Sequence, residues 1–140
     1  MYASPVTQSD QQAPRFLVIG GGPAGTAFAT TAAARGAAVT LVEKEIVGGA
    51  AHLHDCIPSK TMVASAIRAS VLRDAAQLGL SIEPTKVDMA TLSARIRAIT
   101  GDINRSRVEL LESQGVEIIE GVGSFVDDHT GRIVTEEGER

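Results

Sequence analysis

The chain has 140 residues, 44% of them hydrophobic and 21% charged, enough for one domain with its own core and too apolar for general disorder. A net charge of −4, with no Trp, three Phe and one Tyr, removes both the electrostatic pull toward nucleic acid or anionic lipid and the aromatic platforms on which bases stack. A single cysteine excludes an internal disulfide, which fits a reducing cytoplasm, and no stretch approaches the roughly 18 apolar residues of a membrane span.

Met1 to Pro14 is polar, carries no basic residue and has no apolar run, so it reads as a disordered lead-in and not as a signal peptide. Arg15 to Ile19 is a short apolar run ending at three glycines, as expected of a strand buried on both faces of a parallel sheet. Pro23 to Arg35 is Ala-rich and stops at Gly36, which predicts a helix with a glycine C-cap. Ala37 to Glu43 is a second β-rich run, so the three pieces form one βαβ unit with an expected right-handed crossover.

Gly48-Gly49-Ala50-Ala51 reads as a small-residue loop, and the proline at position 58 predicts a helix starting near it. Ile67, Val71, Leu72, Ala75 and Leu78 recur at helical spacing as its apolar face, with Gly79 as the stop and Glu83-Pro84-Thr85 as a break. A second helix is predicted over Asp88 to Ser113, with Leu92, Ile96, Ile99 and Ile103 on one side, Asp88 as N-cap and Gly115 as terminator. Val116 to Val126 returns to strand, and Asp127 to Gly131 reads as a hairpin turn into Arg132 to Thr135. Thr135 to Arg140 is expected to be a charged stretch with no closing element, and the chain reads as the incomplete N-terminal part of a larger fold.

Gly20-Gly21-Gly22-Pro23-Ala24-Gly25 matches G-x-G-x-x-G between a strand and a helix. Gly20 allows the tight turn, Gly22 lets a pyrophosphate approach the backbone, and Gly25 lets helix and strand pack closely. Free backbone N–H groups and the helix dipole then face the anion. Glu43 ends the next strand, 23 positions after Gly20, where its carboxylate can accept hydrogen bonds from both hydroxyls of an adenosine ribose. This pattern does not distinguish NAD from FAD.

Cys56 lies two residues before Pro58, at the expected helix N-terminus, where the dipole favours thiolate, and Lys60 one turn on adds positive charge. An inert thiol is the open alternative. His52, His54 and Cys56 alternate as H-x-H-x-C, but alternate residues converge on a metal only in particular loop shapes, so solvated loop histidines are the expectation and no metal is assigned.

Taken together, Gly20 to Gly25, Leu41-Val42-Glu43-Lys44, Gly48-Gly49 and Cys56-Ile57-Pro58-Ser59-Lys60 resemble the opening of the pyridine nucleotide–disulfide oxidoreductases, the family of lipoamide dehydrogenase, glutathione reductase and mercuric reductase, over roughly residues 15–126. The resemblance implies an α/β, Rossmann-like FAD-binding domain, a parallel sheet with flanking helices, over residues 15–140, with NAD(P)H bound outside this stretch and a homodimer formed through a third domain. It implies that Gly20, Gly22, Pro23, Ala24 and Gly25 hold the FAD pyrophosphate and that Glu43 takes the ribose with Lys44 beside it. Gly49, Ala50 and Lys60 would line the flavin side, and Val122 and Gly123, within Gly121 to Phe125, would meet the adenine.

One departure bears on function. The family's redox disulfide joins two cysteines five positions apart, and the earlier position is Ala51 here, with Leu53 and Asp55 where Asn and Gly are usual. Dithiol–disulfide relay needs a second sulfur. The sequence is similar instead to an actinobacterial branch that keeps the fold, lacks the disulfide and acts as NAD(P)H–quinone dehydrogenases. That implies hydride transfer from nicotinamide to flavin and then electron transfer to a quinone-type acceptor, with Cys56 and Lys60 as the catalytic-side residues tuning the flavin. The alternatives are a soluble NAD(P) transhydrogenase, a dihydrolipoamide dehydrogenase-like flavoenzyme and a non-catalytic FAD-binding fragment, and little or no catalysis is expected of residues 1–140 alone.

Overall fold

The structure is a computed structural model that describes residues 13–83 and 86–140. Most of the expected N-terminal tail, residues 1–12, and Pro84 and Thr85 of the expected break lie outside the described residues. The first βαβ unit forms as its pattern predicts: strand β1 (Arg15–Ile19), helix α1 (Pro23–Ala33) and strand β2 (Ala38–Glu43). Val116–Glu120 forms β3, and the three strands make a parallel sheet in the order β1-β2-β3, with Val18 opposite Leu41 and Glu43 opposite Glu120. The central strand is the most buried. Val39, Leu41 and Val42 are buried, each contributing about 1.5–3 kcal/mol of apolar burial.

Alternation along the strands divides the molecule into three layers. Leu41 and Val39 pack with Ala29 of α1, while Val116 packs with Leu111 of helix α4 (Met89–Ser113) in the same core. Phe16 meets Phe28 of α1 edge to face, with ring centroids 5.3 Å apart. The next residue on β1, Leu17, points to the opposite face and fills the space beside Gly131, and Ile19 does the same beside Gly123. That second face is covered by an antiparallel sheet of β4 (Val122–Phe125), β5 (Gly131–Thr135) and β6 (Gly138–Glu139).

Four expectations need revision. The strand expected over Val116 to Val126 is two strands in two sheets, broken at Gly121, where a Cβ would lie 2.6 Å from the Val134 carbonyl oxygen. The charged end does close: Gly138 takes φ +135°, and the Arg140 and Ile133 backbones exchange hydrogen bonds of 2.8 and 2.9 Å. Ala50 and Ala51 are not loop but the start of a short helix, α2 (Ala50–Leu53), whereas the long helix α3 (Cys56–Asp74) begins near Pro58 with Cys56 at its N-terminus, as expected. Of the apolar face expected after Pro58, only Ala75, in a 3₁₀ turn over Ala75–Leu78, is buried, whereas Ile67, Val71, Leu72 and Leu78 are exposed. Helix α4 follows its pattern, with Leu92 buried and Ile96, Ile99 and Ile103 half-buried. No helix among the described residues is long and apolar enough to cross a membrane.

Candidate functional site

The glycine turn is built as a continuation of the sheet. Gly20, at φ +99°, donates its N–H to the Val42 carbonyl at 2.8 Å, extending the β1–β2 ladder by one rung before the chain turns into α1. Pro23 opens the helix, its missing N–H costing nothing at the first position. The first intrahelical bond is Thr26 N–H to the Gly22 carbonyl, 2.9 Å, so the N–H groups of Ala24 and Gly25 have no acceptor inside the helix. No side chain caps this end and no acidic residue occupies the first turn. A Cβ placed on Gly22 meets nothing within 4 Å, so the space in front of these amides is open. Gly25 is the reverse case: its Cβ would fall 2.0 Å from the Gly20 carbonyl oxygen. An anion-binding helix terminus with room for a phosphate is what this arrangement offers.

Glu43 stands at the end of β2, half-buried, directly beside the turn. Its Oε2 accepts the Gly21 N–H at 2.7 Å and its Oε1 accepts the Glu45 N–H at 3.0 Å. Each oxygen keeps a further lone pair, which is the capacity that two ribose hydroxyls require. Gly21 is a position to which the motif spacing assigns no role. A Cβ there would press within 3.3 Å of the Glu43 side chain. The signal was in the register: Ile19 pairs with Val42, so the chain two residues beyond Ile19 runs alongside Glu43. Lys44 is exposed beside it. The Gly121 N–H donates to the Glu43 carbonyl at 2.9 Å, which brings the start of β4, Val122 and Gly123, to the same end of the sheet.

The Gly48-Gly49 segment closes the turn from the other side. Gly48 donates to the Gly21 carbonyl at 2.7 Å, and Gly49, at φ +64°, comes so near that its Cβ would lie 3.1 Å from Gly22 Cα. Asn104 of α4 fixes this segment through its Oδ1, which accepts the Val47 N–H at 2.9 Å. Asn104 is a further position to which the sequence assigns no role: it lies about 100° around α4 from the predicted stripe of Leu92, Ile96, Ile99 and Ile103, so the pattern held no sign of it. Ala50, exposed, and Ala51, half-buried, follow in α2.

Cys56 is the first residue of α3, free and exposed, with Asp55 preceding it as a cap that makes no side-chain hydrogen bond. Lys60 lies one turn on and lines the groove between α3 and α4 with Thr61, Arg68 and Arg95. Of the two histidines, His52 departs from the expected solvated state and His54 keeps to it. His52 is half-buried, its Nδ1 enclosed over Gly48 without a hydrogen-bond partner, because only a glycine leaves room for the ring there. His54 is exposed, with Nε2 3.9 Å from Glu45 Oε2. Among the described residues no three His, Cys, Asp or Glu side chains are placed to hold a metal.

A parallel βαβ unit with a glycine turn at its strand–helix junction and an acid at the end of the neighbouring strand defines a dinucleotide-binding fold. The pyridine nucleotide-disulphide oxidoreductase family profile matches residues 14–139, and the chain belongs to that family. It is 38% identical over 118 residues to dihydrolipoyl dehydrogenase 2 of Haloarcula marismortui and 35% identical over 122 residues to NAD(P)H dehydrogenase (quinone) of Mycobacterium tuberculosis, each alignment covering 84% of this chain and 25% of the relative. The crystal structure of LpdA from Mycobacterium tuberculosis superimposes with a TM-score of 0.76 at 30% identity, covering 91% of this chain and 30% of that one. The chain thus spans about a quarter of the length of the curated relatives it matches.

Proposed function

We propose that this chain supplies the FAD cradle of an NAD(P)H dehydrogenase that passes electrons to a quinone-type acceptor without a redox disulfide. The observation that carries the proposal is the free Cys56 with Ala51 five positions before it, since a dithiol cycle has no second sulfur within this chain. The similarity to NAD(P)H dehydrogenase (quinone) of Mycobacterium tuberculosis points the same way. Bound FAD supplies the acceptance of a hydride from NAD(P)H and the onward release of electrons. Gly20 and Gly22 clear the approach, Pro23 presets the helix, and the Ala24 and Gly25 amides hold the pyrophosphate. Glu43 accepts from the ribose hydroxyls with Lys44 beside it, Val122 and Gly123 face the adenine, and Gly49 and Ala50 line the flavin side. Cys56 and Lys60 set the charge there as modulators. The NAD(P)H site and the main homodimer contacts belong to the part of the relatives that residues 1–140 do not cover, and the location is cytoplasmic.

Steady-state turnover of the protein as its gene encodes it, with NADH or NADPH, tests the acceptor. Menadione is expected to be reduced and lipoamide to remain at background. Lipoamide turnover equal to that with menadione would overturn the proposal, and rapid exchange between NADH and NADP without quinone would favour transhydrogenase chemistry instead.

A further inference from the structure

His52 is held in a way that packing alone does not explain. Its backbone N–H donates to the Gly49 carbonyl at 3.0 Å, and its ring lies against the buried Gly48, where any Cβ would collide with the imidazole. Nδ1 is the enclosed end of the ring and has no hydrogen-bond partner among the described residues. A hydrogen on Nδ1 would be a buried donor pressed on Gly48 with no acceptor, so the neutral imidazole carries its hydrogen on Nε2. Nε2 is neither enclosed nor paired among the described residues, and the side chain is half-buried, so this end of the ring is accessible. A leucine or phenylalanine would cover Gly48 without burying an unpaired nitrogen, and would suit a purely structural role better.

Beside this ring stands the candidate phosphate site. Gly48 donates to the Gly21 carbonyl at 2.7 Å, and a Cβ on Gly49 would lie 3.1 Å from Gly22 Cα. The start of α1 offers backbone donors there and no side-chain cap. A pyrophosphate carries more acceptor oxygens than the Ala24 and Gly25 amides fill, and an N–H donated to an anion makes a strong hydrogen bond. We infer that His52 is a further binding residue for FAD: its bare Nδ1 keys the ring onto Gly48, and its Nε2–H donates to an oxygen of the pyrophosphate. The inference rests on the FAD cradle proposed above. It gives Gly48 two tasks, to close the turn through Gly21 and to leave room for the ring that covers it.

The protein as its gene encodes it, freed of flavin, tests this by fluorescence titration with FAD and by competition with ADP, which carries the pyrophosphate without the flavin. His52→Phe keeps a ring over Gly48 and loses the donor. His52→Asn ends its amide at the level of Nδ1, whereas His52→Gln carries an N–H out to the level of Nε2. His52→Phe and His52→Asn are expected to bind both ligands about tenfold more weakly than the parent. His52→Gln is expected to stay within about threefold of it. Thermal unfolding of the flavin-free proteins shows which variants are folded, and two variants without the outer donor keep the comparison open if one is not. Parental FAD affinity in either of these, when folded, would overturn the inference. So would His52→Gln binding no better than His52→Phe, or a loss confined to FAD with ADP unaffected. A parent that binds neither ligand would overturn the cradle itself.

Discussion

Within one hexapeptide, three glycines do different jobs, and their surroundings tell them apart. At Gly25 the obstacle is backbone: an added methyl meets the Gly20 carbonyl oxygen at 2.0 Å, and neither the strand nor the helix can retreat without losing its neighbours. Gly25→Ala is therefore expected to lower the unfolding free energy by about 1–3 kcal/mol, measured by urea denaturation; an unchanged midpoint would mean that the turn relaxes at no cost. Gly20 needs its positive φ, while Gly21 needs its lack of side chain because the Glu43 carboxylate occupies the space. The motif spacing identified the ends of this group and the acid. It could not identify the Gly21–Glu43 hydrogen bond, because an x position in G-x-G-x-x-G carries no chemical signal of its own until strand register is known. Likewise Asn104 is separated from Val47 by 57 positions, and only tertiary packing brings it there.

At the scale of elements, local signals served best where the chemistry is local. Asp88 reads as an N-cap from its residue type and place, and its Oδ1 accepts from the Ala90 and Thr91 N–H groups at 2.9 and 3.2 Å while the Thr91 hydroxyl donates to Oδ2 at 2.6 Å. The Thr91 hydroxyl, then the two backbone N–H groups, hold this carboxyl below its usual value. A group with a lowered folded pKa stabilises the fold above its ordinary pKa, about 3.9 for Asp, and loses that contribution as pH falls through the lowered value. Asp88→Ala is thus expected to melt below the parent protein by a constant margin from about pH 5 to 8, narrowing below about pH 4; a margin that widened in acid would contradict the cap. Helix α3 is the opposite case. The apolar spacing read after Pro58 does not form one buried face: Ile67, Val71, Leu72 and Leu78 are exposed and only Ala75 is buried, because spacing records which residues are apolar and not what covers them. The break at Gly121 was hidden for a related reason: Val116 to Phe125 is continuous in β propensity, and only the Val134 backbone pressing on Gly121 divides it.

At the scale of the whole molecule, the layers explain why the cradle stands where it does. The parallel sheet delivers the turn and Glu43 to one end, α4 pins Val47 from the helical side, and the antiparallel sheet closes under Leu17 and Ile19 through Gly131 and Gly123. The family and its α/β architecture were legible because a glycine turn, an acid and a Cys-Ile-Pro-Ser-Lys helix start fall in order along the chain. The packing of the second sheet was not, since it depends on which strand faces meet. Gly22 separates binding from folding better than any other position. Its φ of −69° suits any residue, and a methyl there touches nothing within 4 Å of the protein, yet it stands in the space proposed for the pyrophosphate. Fluorescence titration of FAD into the parent protein and Gly22→Ala, with thermal unfolding of both, is the most direct test. Unchanged unfolding with FAD affinity reduced about 10–100-fold is the expected result, and equal FAD binding by the two proteins would contradict the cradle.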